Sequence, residues 1–337
     1  MFHKIARLLV SILCGGWLVA AACGGDDGRA RGWNAGAMAI EDAWITDVHA
    51  DRFGDVWAVG GQPGRGVAAR YDGRGWMEVL FPEQIPLLRT VQSFPNGATV
   101  VAGDGGTILR WNGEAWNRAN PPTDADLHSI WGPAPDDLWA VGGSNDDASQ
   151  GVILRYRGSQ WNTVDWPRSD ASDVHMFHAV WGTGSDELFV AGDAGTLLHW
   201  EGDSFQLQEV DTDEPLKGLG GVESGRVVAV GGDAQGIVVW RSEAGWTRTS
   251  LNGYSGGTDV WMERRNRGWI IGRRGLVARL QFDGDTLTFQ PTSVPTSMTL
   301  SSISGAGGPG LFAVGGTFEQ SQGPFEGILL RRSTDID

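Results

Sequence analysis

The sequence predicts an all-β protein, a single seven-bladed β-propeller of four-stranded blades closed by its own N-terminal strand. Three observations carry this expectation. A glycine that ends a short apolar run recurs at Gly60, Gly103, Gly142, Gly192, Gly231, Gly272 and Gly315, at spacings of 43, 39, 50, 39, 41 and 43 residues. An apolar residue stands 12 positions before each of them: Val48, Val91, Ile130, Val180, Leu219, Val260 and Ile303. Each unit holds three or four short β-rich runs bounded by Gly, Asp, Asn or Pro, and no long 3.6-residue period follows residue 30. Four strands in a unit of about 40 residues make a propeller blade. A solenoid would need atypical capping repeats, which these units lack.

The elements follow in chain order. Residues 1–22 carry Lys4 and Arg7, then an apolar run over 8–19, then small residues, which is the layout of an export signal. The run is too short for a membrane span. The Ala20-Ala21-Ala22-Cys23 stretch resembles a bacterial lipobox, with Ala20 where Leu is usual. Cys23 is therefore expected to be lipidated, with residues 23–32 as a polar tether. Secretion after ordinary cleavage is the alternative. The other cysteine, Cys14, lies inside the signal, so the folded part has no disulfide framework, zinc finger or cysteine nucleophile.

Residues 33–337 form the propeller. Trp33 lies 15 residues before Val48, as Trp76 lies 15 before Val91 and Trp116 lies 14 before Ile130. Residues of about 32–38 thus read as a fourth strand without a unit of their own. The seventh unit has runs at 311–314 and 328–332 and nothing after them, so the N-terminal strand is expected to complete it and cover its edge. The blades are anchored at about 45–79, 88–119, 127–164, 176–207, 216–248, 257–289 and 300–332 plus 32–38.

Two units read L-H-S-I-W-G-P-A-P-D-D-L-W-A-V-G from Leu127 and F-H-A-V-W-G-T-G-S-D-E-L-F-V-A-G from Phe177. Their pattern resembles a family of exported bacterial propellers of the myxobacterial type, which implies a lipoprotein whose function is open. The chain is more distantly similar to photosystem II assembly-factor propellers, sialidase-type repeats and kelch repeats. The kelch likeness rests on the double glycines at Gly60, Gly142, Gly231 and Gly315, which Asp104, Asp193 and Arg273 interrupt in the other units.

Most of the 17 tryptophans have a repeat address. Trp57, Trp139 and Trp269 share a second-strand position, and Trp76, Trp116, Trp161 and Trp246 a fourth-strand one. Trp131, Trp181 and Trp261 follow the apolar anchor. Recurrence argues for packing between blades. Trp44 and Trp166 do not recur and are candidates for ligand binding. Asp55, Asp137 and Asp186 precede second strands and read as turn acceptors.

Two residues before each anchor stand Thr46, Arg89, His128, His178, Lys217, Thr258 and Ser301. They begin the innermost strands, so all seven are expected at the mouth of the central channel. With two full positive charges and two histidines, they suggest an anion or carboxylate site; a merely solvated funnel is the simpler alternative. The second-to-third-strand loops at 61–66, 143–151 and 316–327 and the connection at 164–177 look long and open on the same face. In them Asp146, Asp147, Asp170, Asp173 and His175 are candidate metal ligands, against ordinary solvated acids. No D-x-[DN]-x-[DN]-G loop supports calcium, and no cofactor is expected.

The formal charge of −15 disfavours nucleic acid as a partner. There is no G-x-S-x-G nucleophile elbow, no P-loop, no H-E-x-x-H and no G-x-G-x-x-G before a helix. The expectation is a monomeric, non-enzymatic lipoprotein of the cell envelope that binds a protein or glycan partner through its loop-rich face. The alternative is a secreted carbohydrate-active enzyme, a glycosidase or lyase, with its site in the central channel.

Overall fold

The computed structural model describes residues 32–333 except 39, 52, 145–150, 168–173, 223–224, 307–309 and 319–322. The expected export signal, Cys23 and the tether up to residue 31 lie outside the described residues. Seven four-stranded antiparallel sheets form a β-propeller. In six of them the order across the sheet is the order along the chain. Blade 3, for example, runs Asp126–Ala134, Asp137–Gly143, Val152–Arg157 and Trp161–Thr163. Blade 7 takes Thr299–Ala306, Gly310–Gly316 and Gly327–Arg332 and is completed by Asn34–Ala35. Asn34 faces Arg331 and Ala35 faces Leu330, and the Gly36 N–H donates to the Leu329 carbonyl at 2.9 Å. The N-terminal segment therefore closes the ring as expected, though over fewer paired residues than 32–38, because the chain leaves the sheet after Gly36.

The hydrophobic core is divided into seven clusters, one at each contact between neighbouring blades. Trp139, Val141 and Ile153 of blade 3 meet Phe177, Val190 and Leu198 of blade 4 in one of them. The repeat positions of the aromatic residues follow from this. The fourth-strand ring of one blade meets the second-strand ring of the preceding blade edge to face. Trp116 packs on Trp57 at 5.9 Å, Trp246 on Phe189 at 5.8 Å, Trp76 on Phe312 at 5.9 Å and Trp33 on Trp269 at 5.7 Å. Such a pair adds about 1 kcal/mol beyond the area it buries. Trp131, Trp181 and Trp261 press instead on the first strand of the next blade. A Cβ placed on Gly182, Gly221 or Gly305 would fall 2.8, 2.5 or 2.7 Å from their rings.

Asp55 and Asp137, two of the three Asp residues before second strands, act differently from expectation. Asp55 accepts from the Trp57 indole at 3.1 Å and from Arg70 at 2.6 Å, and Asp137 pairs with Arg155 at 3.3 Å. Arg155 in turn lies 4.5 Å from the Trp139 ring. These carboxylates fix an arginine over an indole rather than satisfying turn N–H groups. The expected long loop at 61–66 is also absent. Gly61 pairs with Gly66 and Gln62 with Arg65, leaving a two-residue turn at Pro63–Gly64 in which Gly64 has φ of 80°.

The innermost strands are laced by side chains one residue before each apolar anchor. Asp47 accepts from Val91 N at 2.8 Å, Thr90 from Ile130 N at 3.1 Å and Ser129 from Val180 N at 3.2 Å. Asp259 accepts from Ile303 N at 2.9 Å, and Ser302 from Val48 N at 3.3 Å. In blades 4 and 5 the position is held by Ala179 and Gly218, which have no acceptor to offer. Five of the seven blade contacts thus satisfy an inward N–H that the innermost strand, paired on one side only, leaves over.

Candidate functional site

The ring of residues read from the sequence is built by a β-bulge repeated seven times. In blade 1, Ile45 pairs with Gly60 and Asp47 with Val59, so Thr46 is skipped. Arg89, His128, His178, Lys217, Thr258 and Ser301 are skipped in the same way. A bulge re-aims its extra side chain. Here it sends all seven to one cavity of about 480 Å³ at the channel mouth. The recurring glycine faces the residue before the bulge. A Cβ on Gly142 would lie 1.8 Å from the Asp126 carbonyl oxygen, and one on Gly103 2.1 Å from that of Leu87. Space, not backbone conformation, demands glycine there.

The seven residues do unequal work. Thr46 donates to the Leu88 carbonyl at 2.8 Å, Thr258 to Leu300 at 2.5 Å and Ser301 to Ile45 at 2.9 Å. These three hydroxyls bond across to the next blade. The ionisable arc is left to blades 2–5, with Arg89, His128, His178 and Lys217.

Its positive charge is compensated, which corrects the expectation of a cationic funnel. Arg89 pairs with Asp104 and, at 3.4 Å, with Asp126. Lys217 meets Asp233 at 2.5 Å, Arg273 meets the same carboxylate at 3.1 Å, and His178 meets Asp193 at 2.8 Å. Three cations therefore face four carboxylates. Burial pushes the Asp104 carboxyl up against the pull of Arg89, with Asp126 adding to the rise. The hydrogen bond from Lys217 holds Asp233 below the usual carboxylate range. Burial, then Arg89 and His178, pushes His128 well below the usual imidazole value, so it is neutral at pH 7. Its Nε2 has no hydrogen-bond partner among the described residues, and its ring lies 6.1 Å from that of His178.

Sequence reasoning missed Asp104, Asp126, Asp193, Asp233, Arg273 and Phe318 at the mouth. The signal was present for three of them: Asp104, Asp193 and Arg273 are the residues that interrupt the double glycines. Phe318 lines the cavity from the second-to-third-strand loop of blade 7 and packs on Trp44 at 5.6 Å.

Trp44 and Trp166 are not binding surfaces. Trp44 is 8% exposed, donates to the Thr317 carbonyl at 3.1 Å and meets Phe325 edge-on at 4.9 Å. Trp166 is 6% exposed, donates to the Gly151 carbonyl at 3.1 Å and packs on Phe177 at 5.0 Å. Both fasten irregular segments to their blades, so neither presents a free face. Of the candidate metal ligands, Asp146, Asp147, Asp170 and Asp173 lie outside the described residues. His175 is half-exposed, and among the described residues no three His, Cys, Asp or Glu side chains are grouped as a metal requires.

Deeper in the channel lies a second cavity of about 280 Å³, lined by Asp47, Asp259 and the three anchor-following tryptophans. Each of these aspartates accepts two backbone N–H bonds, Asp47 from Val48 and Val91 and Asp259 from Val260 and Ile303. The two acids are committed to holding strands.

No protein-family model matches the chain, and no curated protein matches it. Solved propellers do. Virginiamycin B lyase from Staphylococcus aureus aligns at a TM-score of 0.69 with 12% identity, over 90% of this chain and 99% of that chain. YCF48 bound to a D1 peptide aligns at 0.65 with 19% identity, over 90% of this chain and 97% of that chain. The WD40 propeller domain of Doa1 aligns at 0.66 with 13% identity, over 89% and 96%. The likeness is one of fold, which hosts both a lyase and a peptide-binding protein in this set.

Proposed function

We propose that this chain is a non-enzymatic propeller scaffold, exported and held at the bacterial cell envelope by a lipid on Cys23. It binds a protein or glycan partner through the channel mouth and the loops around it. The supporting observation is the convergence of seven bulged residues on one open cavity. At its rim Arg89 is paired with Asp104 and Asp126, His178 with Asp193 and Lys217 with Asp233, so the rim does not carry one sign of charge. A mixed rim of this kind matches a polypeptide segment, which offers donors, acceptors and both charges, better than a simple anion. The fold neighbour bound to a peptide is in keeping with this choice.

The test is site-specific photo-crosslinking in source envelopes. A photoreactive residue at Thr258 in the mouth is expected to give a discrete adduct, while one at exposed Phe53, in the turn between the first and second strands of blade 1 at the other end of the channel, gives none. Adducts from Phe53 alone would move the partner off the mouth and overturn the proposal.

One observation favours the alternative of a carbohydrate-active enzyme. His178, held by Asp193 at 2.8 Å in the wall of the mouth cavity, has the make-up of a general base. Turnover of a polysaccharide that disappears in His178→Ala would establish it.

A further inference from the structure

The groove between the outer parts of blades 2 and 3 lies apart from the channel mouth and encloses about 710 Å³. Its lining has an unusual composition. The whole chain has nine asparagines, and four of them, Asn96, Asn112, Asn117 and Asn120, line this one groove together with Gln160. The chain has 41 acidic residues, yet no carboxylate is among the lining residues. Asn96 and Asn112 cap turns through Oδ1, accepting from Ala98 N at 3.1 Å and from Glu114 N and Ala115 N at 3.0 and 2.9 Å, which leaves their amide N–H groups and the exposed Asn117 and Asn120 to face the groove.

The aromatic floor is unusual too. The third-strand aromatic that pairs with the residue four before the recurring glycine is Tyr71, Trp111, Tyr156 and Trp200 in blades 1–4. Tyr71 and Trp200 are each 6% exposed. Trp111 and Tyr156 are half-buried, and both line the groove. The repeat brings an aromatic to this position, and only at the groove does it emerge. Arg110 bridges the two blades, with its guanidinium 4.3 Å from the Tyr156 ring and a hydrogen bond to the Pro135 carbonyl at 2.6 Å. The groove is thus formed before any ligand arrives.

We infer that this groove is a binding site for an uncharged oligosaccharide. A carboxamide offers a donor and an acceptor side by side, the complement of neighbouring sugar hydroxyls. A partly exposed indole offers a flat apolar face for the C–H side of a pyranose ring. A nucleic acid would use the same stacking and amide groups but is opposed by the net charge of −15. A charged glycan would call for more fixed charge than Arg110, tied to Pro135, and Arg118, paired with Glu83 at 3.0 Å, leave over.

The experiment is calorimetric titration of the purified protein with neutral hexasaccharides of glucose, mannose, xylose and N-acetylglucosamine. At least one is expected to bind. The double substitution Asn117→Ala/Asn120→Ala, at exposed positions, is expected to weaken that binding about tenfold, the worth of one or two neutral hydrogen bonds. Trp111→Phe is expected to weaken it as well while keeping the fold. Arg89→Ala, at the mouth, is expected to leave it unchanged, which keeps this outcome distinct from that of the mouth. No binding by any of the four sugars up to about 10 mM, or binding that the Asn117/Asn120 variant retains in full, overturns the inference.

Discussion

Asp259 couples the channel to pH. Burial pushes its carboxyl from 3.8 up to about 7, with the nearby Asp47 adding to the rise. The folded state therefore holds this proton more tightly than the unfolded chain does. The stability it contributes is complete below about pH 4 and is lost as pH rises through 7. Asp259→Asn removes the charge and keeps the shape. Denaturant midpoints for the parent are expected to fall between about pH 4 and 7 more steeply than those of the variant. Parallel profiles would show that the proton sits elsewhere. The recurring glycine makes a second prediction of the same kind. Gly142→Ala would put a Cβ 1.8 Å from a carbonyl oxygen, whereas Gly75 has nothing within 4 Å. The first change is expected to cost about 2–4 kcal/mol and the second less than about 0.5 in equilibrium unfolding. The glycines were legible in the sequence because space permits only one residue at that bulge. The charge balance of the ring was legible only in part: Asp104, Asp193 and Asp233 stand 15 or 16 residues after the groups they meet, a repeat address, whereas Asp126 reaches Arg89 from the next blade.

The strand positions and blade boundaries were legible because each blade repeats one packing problem. A wedge that widens outward needs a large ring on the second strand and another on the fourth strand of the following blade, and the sequence repeats both. Trp57 and Trp116 are such a pair, at 5.9 Å and 89° between ring planes. A double-mutant cycle with Trp57→Leu and Trp116→Leu is expected to return a coupling of about 0.5–1.5 kcal/mol. Additive losses would mean that the rings serve only by their bulk. The lacing of the inner strands was not legible, although it recurs. Any short acceptor can cap the inward N–H, so Asp47, Thr90, Ser129, Asp259 and Ser302 share a role without sharing a residue type. Trp44 and Trp166 were misjudged for the opposite reason. They do not recur because the segments they pin are themselves irregular, and absence from the repeat marks a loop anchor as readily as a ligand site. The groove between blades 2 and 3 escaped notice because its asparagines fall in turns and outer strands, where polar residues arouse no attention until two blades bring them together.

A ring stands or falls on its closure, and here closure rests on very little paired backbone. Asn34 and Ala35 alone match strand partners in blade 7, with one further bond from Gly36. Trp33 supplies what the short ladder lacks. Its ring is 4% exposed and packs edge-on to Trp269 of blade 6, so the N-terminal strand is fastened to two blades at once. The other blades have no such seam, because their four strands are contiguous in the chain. Trp33→Ala is therefore expected to act beyond its own volume. The cavity and lost burial alone cost about 3–5 kcal/mol, and loss of the strand would leave the Gly327–Arg332 edge of blade 7 unpaired, a template for another chain. The expected outcome is selective loss of amide protection in Gly327–Arg332 under native conditions, with concentration-dependent association, while blade 3 keeps its protection. Uniform loss of protection around the ring, at an unchanged association state, would mean that the propeller unfolds as one unit and that its seam is no weaker than its other blade contacts.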